Sequence, residues 1–105
     1  MTTITITAQI LDGNLGDGWR DNYEAAQALA AFTEQRWRDD LAELAAEGHE
    51  IDIQIDVQSA EGCARKTIVD ADDADLAARA ERLLTDRNRV WEQFCLSPEA
   101  EALAE

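Results

Sequence analysis

The chain has 105 residues, of which 46% are apolar and 30% charged, a composition typical of one globular domain and not of a disordered segment. Twenty-three acidic residues and nine basic ones give a formal net charge of -14, which disfavours direct binding to nucleic acid or to an anionic membrane, because both need cationic side chains. The sequence contains no apolar run of transmembrane length and no charged-then-apolar leader, so we expect a cytoplasmic protein.

Residues 2–11 are the first predicted element, a β-strand. Apolar side chains occupy every second position, threonine or glutamine fills the gaps, and most of the segment is β-branched. Residues 12–18 then read DGNLGDG. Their Asp-Gly pairs and Asn tolerate a positive φ and predict a connecting loop.

Residues 22–47 are predicted to form the first helix. Asp21 followed by Glu24 resembles a capping box at its start, and Gly48 is suited to a left-handed stop at its end. Apolar and small side chains recur at helical spacing and form one stripe, which comprises Ala26, Leu29, Ala30, Thr33, Trp37, Leu41 and Leu44. This stripe is expected to face the core.

Residues 50–58 are predicted to form the second strand, because isoleucine and valine alternate there with aspartate and glutamine. The next four residues end in Gly62 and suit a hairpin, so residues 63–69 are expected to fold back antiparallel as a third strand. The acidic run at 70–75 predicts a helix start. Helical spacing then extends a second helix over residues 76–95, and Ser97 with Pro98 begins a short terminal helix.

These elements predict a single α+β domain over residues 1–105 with the order β-α-β-β-α. A three-stranded sheet with two helices on one face would bury both helical stripes. The second face of the sheet would stay open and carry the threonines of strand one with the Asp and Gln residues of strand two. The sequence leaves the strand order open.

The charge is concentrated in one part of the chain: residues 39–75 contain twelve acidic residues and two basic ones. Carboxylates crowd the end of the first helix, where the dipole favours cations and like charges repel at four-residue spacing. A pattern that lowers stability is a candidate for function. The predicted partner-binding residues are Asp39, Asp40, Glu43 and Glu47 on the helix, with Glu50, Asp52 and Asp56 on the second strand.

Other interpretations of these residues compete with partner binding. An acidic solvated surface or an adaptation to high salt explains the same charge without a partner. The 12–18 loop offers oxygen ligands, but it departs from a calcium-binding EF-hand at Gly16, Asp17 and Tyr23, so no metal and no cofactor is predicted.

Catalysis has little support in the sequence. His49 has no nucleophile beside it, and Cys63, although close to Arg65 and Lys66, is more typical of packing. We therefore predict no catalytic residues. Both thiols, Cys63 and Cys95, are expected to be buried or half-buried, and Trp19, Trp37 and Trp91 are expected at the core or its margin.

The run TIVDADDAD over residues 67–75, which leads into an amphipathic helix, resembles a stretch of an acidic type I anti-CRISPR protein. The small size, the acidity and the α+β pattern are also similar to phage-encoded anti-CRISPR and anti-restriction proteins that mimic nucleic acid. That resemblance implies stoichiometric inhibition, in which the protein occupies a basic DNA-binding groove of a Cas surveillance complex in the host cytoplasm.

The sequence therefore predicts a non-enzymatic acidic protein that binds a basic protein surface, in the manner of a phage inhibitor that mimics DNA. Carboxylates would replace phosphates and pair with arginines of the target. The alternative is an acidic structural or regulatory domain that self-associates without mimicry. Whether the chain forms a homodimer stays open at this point.

Overall fold

A computed structural model describes residues 2–105 of the chain. Three strands and five helices follow one another with a short 3-10 turn after the first strand. Their bounds are β1 Thr3–Leu11, the 3-10 turn Asp12–Leu15, α1 Asn22–Asp40, α2 Ala42–Ala46, β2 Glu50–Gln58, β3 Ile68–Ala71, α3 Ala74–Leu83, α4 Arg87–Cys95 and α5 Pro98–Leu103. The predicted α+β class is confirmed.

The sheet has the strand order β2-β1-β3, so the first strand lies in the centre. β2 runs parallel to β1, with Ile4 opposite Ile51 and Thr5 opposite Asp52. β3 runs antiparallel to β1, with Thr5 opposite Asp70. Thr5 therefore lies between two aspartates, and all three side chains point to the same face because facing residues share a side.

The helices cover the other face of the sheet. Ile4, Ile6 and Ile53 pack there against Trp37 and Leu41 in one cluster of buried side chains. A second cluster continues along the same layer and comprises Ile10, Leu15, Ala25, Ala26, Leu29, Phe94 and Ala100. Alternation in the strands thus separates a covered apolar face from an open polar face, as the pattern predicted.

The third strand is shorter than predicted and pairs with a different neighbour. The hairpin expectation is wrong, since residues 63–67 lie outside any strand and β3 pairs with β1. The connection after β2 is tied to the loop beyond β1: the Gly13 amide donates to the Ala60 carbonyl at 2.9 Å, and the Asn14 side chain bonds both backbone groups of Gly62. These contacts hold the connection where it passes the end of β1. The chain then reaches the side of β1 opposite to β2, where β3 pairs.

Both long helices are divided. The predicted first helix breaks at Leu41, whose φ of -99° and ψ of 9° leave the helical range while its side chain is fully buried. The predicted second helix breaks after Leu83, because Leu84 is extended and Asp86 caps α4 by accepting a hydrogen bond from the Asn88 amide. Thr85 and Asp86 are residue types that favour a helix start, so this second break had a local signal.

The predicted helix boundaries at Asp21, Gly48 and Ser97 are confirmed, whereas the run at 70–75 begins a helix only from Asp73, because Asp70 and Ala71 belong to β3. Asp21 accepts hydrogen bonds from the amides of Tyr23 and Glu24, and Ser97 accepts one from the Ala100 amide. Gly48 has a φ of +99°, which a residue with a side chain rarely adopts.

The predicted positions of the tryptophans are confirmed, whereas those of the cysteines are not. Trp37 is buried, and Trp19 and Trp91 are half-buried beside Phe94, as expected for a core and its margin. The prediction that the thiols are buried or half-buried is wrong, because Cys63 and Cys95 are both free and exposed. Cys63 lies in the connection before β3, and Cys95 is the last residue of α4.

None of the helices in the described part of the chain combines the length and the apolar character that crossing a bilayer requires.

Candidate acidic interface

Asp40 is the one predicted site residue that belongs to the interior. Its side chain is 8% exposed and lies 3.3 Å from the Arg36 guanidinium. Its Oδ2 also accepts a hydrogen bond of 2.7 Å from the Thr85 amide. Asp40 therefore joins the end of α1 to the break between α3 and α4, and its carboxylate is not available to a partner.

Glu43 and Glu47 share one cation. The Arg79 guanidinium on α3 donates to both carboxylate oxygens of Glu47, at 2.9 and 2.5 Å, and lies 3.5 Å from Glu43. The hydrogen bond from Arg79 is the main reason that the pKa of Glu47 is below its usual value. Both glutamate side chains still face solvent. The single positive charge of Arg79 therefore neutralises only part of the negative charge of Glu43 and Glu47.

Asp39 stays at the surface. Its Oδ1 accepts a hydrogen bond of 3.0 Å from the Gln35 amide group, four residues earlier on α1. A neutral donor leaves the charge of the carboxylate in place.

Glu50 and Asp52 lie on the open face at the beginning of β2. Glu50 is opposite Thr3 and Asp52 is opposite Thr5. The Asp52 carboxylate accepts a hydrogen bond of 2.9 Å from the Gln54 side chain, which orients it without neutralising it. Successive side chains on one face of a strand are about 6.6 Å apart, so these two carboxylates form a close pair.

Asp56 lies on the same face but at its other end. Its Oδ2 accepts a hydrogen bond of 2.7 Å from Gln58 and is 3.9 Å from the Arg65 guanidinium. Arg65 and Lys66 belong to the connection that passes over Gln9, whose side chain accepts from the Arg65 amide. This end of the open face is therefore mixed in charge and partly covered.

Four exposed carboxylates that the sequence analysis assigned only to a helix start join the beginning of the sheet. Asp70 ends the β3 row on the open face, opposite Thr5, and Asp72, Asp73 and Asp75 follow it into α3. Asp73 caps α3 by accepting from the Asp75 amide at 2.8 Å. The sequence analysis did not place these residues near β2, because their position depends on the pairing of β3 with β1.

One end of the molecule gathers most of these groups. A helix that connects parallel strands ends where the next strand begins, and the antiparallel β3 ends at that same place. We call this set of carboxylates the acidic end: Asp39, Glu43, Glu47, Glu50, Asp52, Asp70, Asp72, Asp73 and Asp75. Within residues 2–105, Arg79 is the one arginine or lysine within 4.0 Å of any of them.

The predicted interface is thus partly assembled. Asp39, Glu43 and Glu47 lie in the helix layer and Glu50 and Asp52 on the open sheet face, so they share an end of the fold but not a face. Asp40 and Asp56 lie outside the acidic end for the reasons given above.

The loop considered for calcium uses its oxygen atoms within the fold. The Asp12 carboxylate accepts from Ser59, and the Asn22 side chain donates to the carbonyls of Asp12 and Gly16. Among residues 2–105, no group of three His, Cys, Asp or Glu side chains is arranged to hold a metal ion.

Comparison with protein-family models, with curated proteins and with solved structures finds no match to this chain. Arguments about its role therefore rest on its own geometry.

Proposed function

We propose that this protein is a non-enzymatic inhibitor that covers a basic, nucleic-acid-binding surface of another protein with its acidic end. The observation that carries the proposal is the concentration of carboxylates on the open face around Thr5, with the half-buried Asp52 on one side and the exposed Asp70 on the other. Arginines and lysines that normally bind phosphates would pair with these carboxylates. The resemblance of residues 67–75 to an anti-CRISPR protein suggests a Cas or restriction complex in the host cytoplasm as the target.

The acidic end resembles a nucleic-acid backbone in being a close, ordered array of negative charges, and this supports the proposed mimicry. Asp52 and Asp70 are separated by two strand spacings, or about 9.6 Å, and Glu50 lies about 6.6 Å from Asp52 along β2. Duplex DNA also presents a dense array, with one charge per about 1.7 Å of helix axis. A sheet holds its side chains in fixed register, so the array does not have to be ordered at the moment of binding.

Self-repulsion gives a second argument. A surface whose acids only keep the protein in solution has no need to concentrate them, because the same net charge spread over the molecule costs less free energy. Here the described residues place carboxylates from α1, α2, β2, β3 and α3 at one end, where Arg79 is the one arginine or lysine within 4.0 Å of them and Arg38 lies nearby on the Ile51 carbonyl. Such a local loss of stability is expected where the surface serves a partner.

The proposal is tested by affinity capture with charge-reversed variants. In the first variant, Glu50, Asp52, Asp70 and Asp72 are each replaced by lysine; the control replaces Asp17, Glu61, Glu92 and Glu105, which are exposed elsewhere. Both variants change the net charge equally. We expect the wild type and the control to retain a nucleic-acid-binding protein from a bacterial lysate, and the first variant to lose it.

The retained protein should be released by salt and by added duplex DNA, because both compete for the same cations. The purified target should then lose its DNA binding at one equivalent of the inhibitor. Equal loss of capture in both variants would show that only the net charge matters, and a captured protein that DNA does not displace would contradict mimicry.

A further inference from the structure

β2 is a nine-residue strand at the edge of the sheet, with β1 as its one neighbouring strand among residues 2–105. The Glu50 amide donates to the Thr2 carbonyl at 2.8 Å, so Glu50 points its backbone groups inward to β1. Backbone groups alternate in direction along a strand, so those of Ile51, Ile53, Ile55 and Val57 point outward. The Arg38 guanidinium confirms this direction, because it donates to the Ile51 carbonyl at 3.2 Å from the outer side.

The rest of this edge has no partner in the part of the chain that the structure describes. Among residues 2–105, no strand lies beyond β2, and no side chain bonds the backbone groups of Ile53, Ile55 or Val57. An open groove of about 600 Å³ borders residues 53–56 and extends over the open sheet face, where Thr7, Gln9 and Ile68 also line it. An unpaired strand edge is a template for another strand.

A second copy of the chain is a poor occupant. A two-fold axis requires antiparallel pairing, and full overlap of the strand centres the pair on Gln54. Asp52 would then lie opposite Asp56 of the other copy, on the same face. Like charges directly opposite each other destabilise a strand pair.

The same carboxylates favour a cationic occupant: Asp52 accepts from the neutral Gln54 side chain, and the contact between Asp56 and Arg65 is long, at 3.9 Å, and exposed. Asp52 and Asp56 are about 13 Å apart on the open side of the edge, which matches two side chains four residues apart in an added strand. On the face that the helices cover, Ile53 is buried and Ile51, Ile55 and Val57 are only partly buried. Apolar side chains of an added strand would therefore continue this apolar row.

We propose that an extended segment of a partner protein adds to β2 as a fourth strand, with lysine or arginine facing Asp52 and Asp56 and apolar side chains on the opposite face. The segment belongs to the basic partner of the proposed function, on which this inference rests for the sign of the charge. Backbone hydrogen bonds would supply affinity, and the two carboxylates would select the sequence.

A synthetic peptide, TVKVTVKVT, tests the inference on the full chain without the natural partner. Its lysines are four residues apart, and its sequence is symmetric, so it can pair in either direction. We expect binding that slows amide hydrogen exchange at Ile53, Ile55 and Val57. The variant with both Asp52→Lys and Asp56→Lys should lose it, whereas Asp70→Lys, on the same face but across β1, should keep it.

N-methylated peptides separate strand pairing from simple charge attraction. Methylation of the two valines beside the central threonine removes the donors that an antiparallel strand would use, and methylation of the two lysines removes those of a parallel strand. One of the two changes should weaken binding roughly tenfold, since it removes two backbone hydrogen bonds. Equal binding of both methylated peptides, or no binding of the parent peptide, would overturn the inference, while capture by the acidic end would still stand.

Discussion

The backbone amide of Thr85 donates a hydrogen bond to the Asp40 carboxylate at 2.7 Å. The other polar groups of Thr85 are bound by the same helix: its carbonyl accepts from the Trp37 indole at 3.0 Å, and its hydroxyl accepts from Arg36 at 3.1 Å. The last turns of α1 thus hold the short connection between α3 and α4 in place. Asp40 belongs to an acidic run of the sequence, but through this contact it stabilises the fold.

Replacement of Asp40 by alanine is therefore expected to lower the free energy of unfolding by about 1–3 kcal/mol, because the half-buried Thr85 amide would lose its acceptor. Urea denaturation followed by tryptophan fluorescence measures the loss. Asp39→Ala is the matched control, since the neighbouring Asp39 is exposed and its change should stay within about 0.5 kcal/mol. Equal effects of the two changes would contradict the role given to Asp40.

Asp40 also shows what the sequence could and could not reveal. Its charge and position placed it among the repelling carboxylates of the helix end. Yet Trp37 and Leu44 are three and four residues away from it and both are buried, so Asp40 borders the apolar stripe. A carboxylate at that border is a candidate for an internal partner, but Thr85 could not be identified as that partner before α3 and α4 were placed.

The strand order could not be predicted from the alternation of apolar and polar residues, for a different reason. Alternation identifies a strand and its two faces, but it does not identify the neighbour, since β1 and β2 both offer an apolar row. The pairing of β3 with β1 depends on the connection held by Gly13 and Asn14. The place of Asp70 in the acidic end follows from that pairing, which is why the sequence analysis left Asp70 out. Asp56 was included because alternation identifies its face but not the Arg65 contact at that end of β2.

The role of that connection gives a second prediction. A Cβ atom on Gly13 would lie 2.8 Å from both the Ala60 carbonyl oxygen and the Glu61 Cβ. Gly13→Ala should therefore push the connection away from the loop and lower the free energy of unfolding by about 1–3 kcal/mol. Asp17→Ala, an exposed change in the same loop, serves as the control. An unchanged urea midpoint for Gly13→Ala would show that the close approach is not needed.

The pair formed by Glu47 and Arg79 gives a pH prediction. Because the hydrogen bond from Arg79 lowers the pKa of Glu47 in the folded protein, the pair stabilises the fold above the usual pKa of glutamate. That contribution is lost as the pH falls through the lowered folded value. An NMR titration of the Glu47 carboxyl should show the lowered pKa, and Arg79→Gln should return it towards the usual range. A pKa that does not respond to Arg79→Gln would contradict this cause.

The crowding of the acidic end should be measurable as lost stability. Asp70→Asn with Asp72→Asn removes two exposed charges that have no cation within 4.0 Å among residues 2–105 and should raise the melting temperature. Added salt should also raise the melting temperature of the wild type and shrink the difference between the two proteins, because it screens exposed like charges beyond about 8–10 Å.

Asp17→Asn together with Glu105→Gln is the matched control, since both residues are exposed outside the acidic end. The two double variants change the net charge equally, so a larger gain at the acidic end measures local repulsion and not total charge. Equal gains would instead indicate an evenly distributed field, and they would remove the energetic argument for a dedicated surface. Because asparagine keeps the size of aspartate and glutamine that of glutamate, the comparison isolates the charge from the packing.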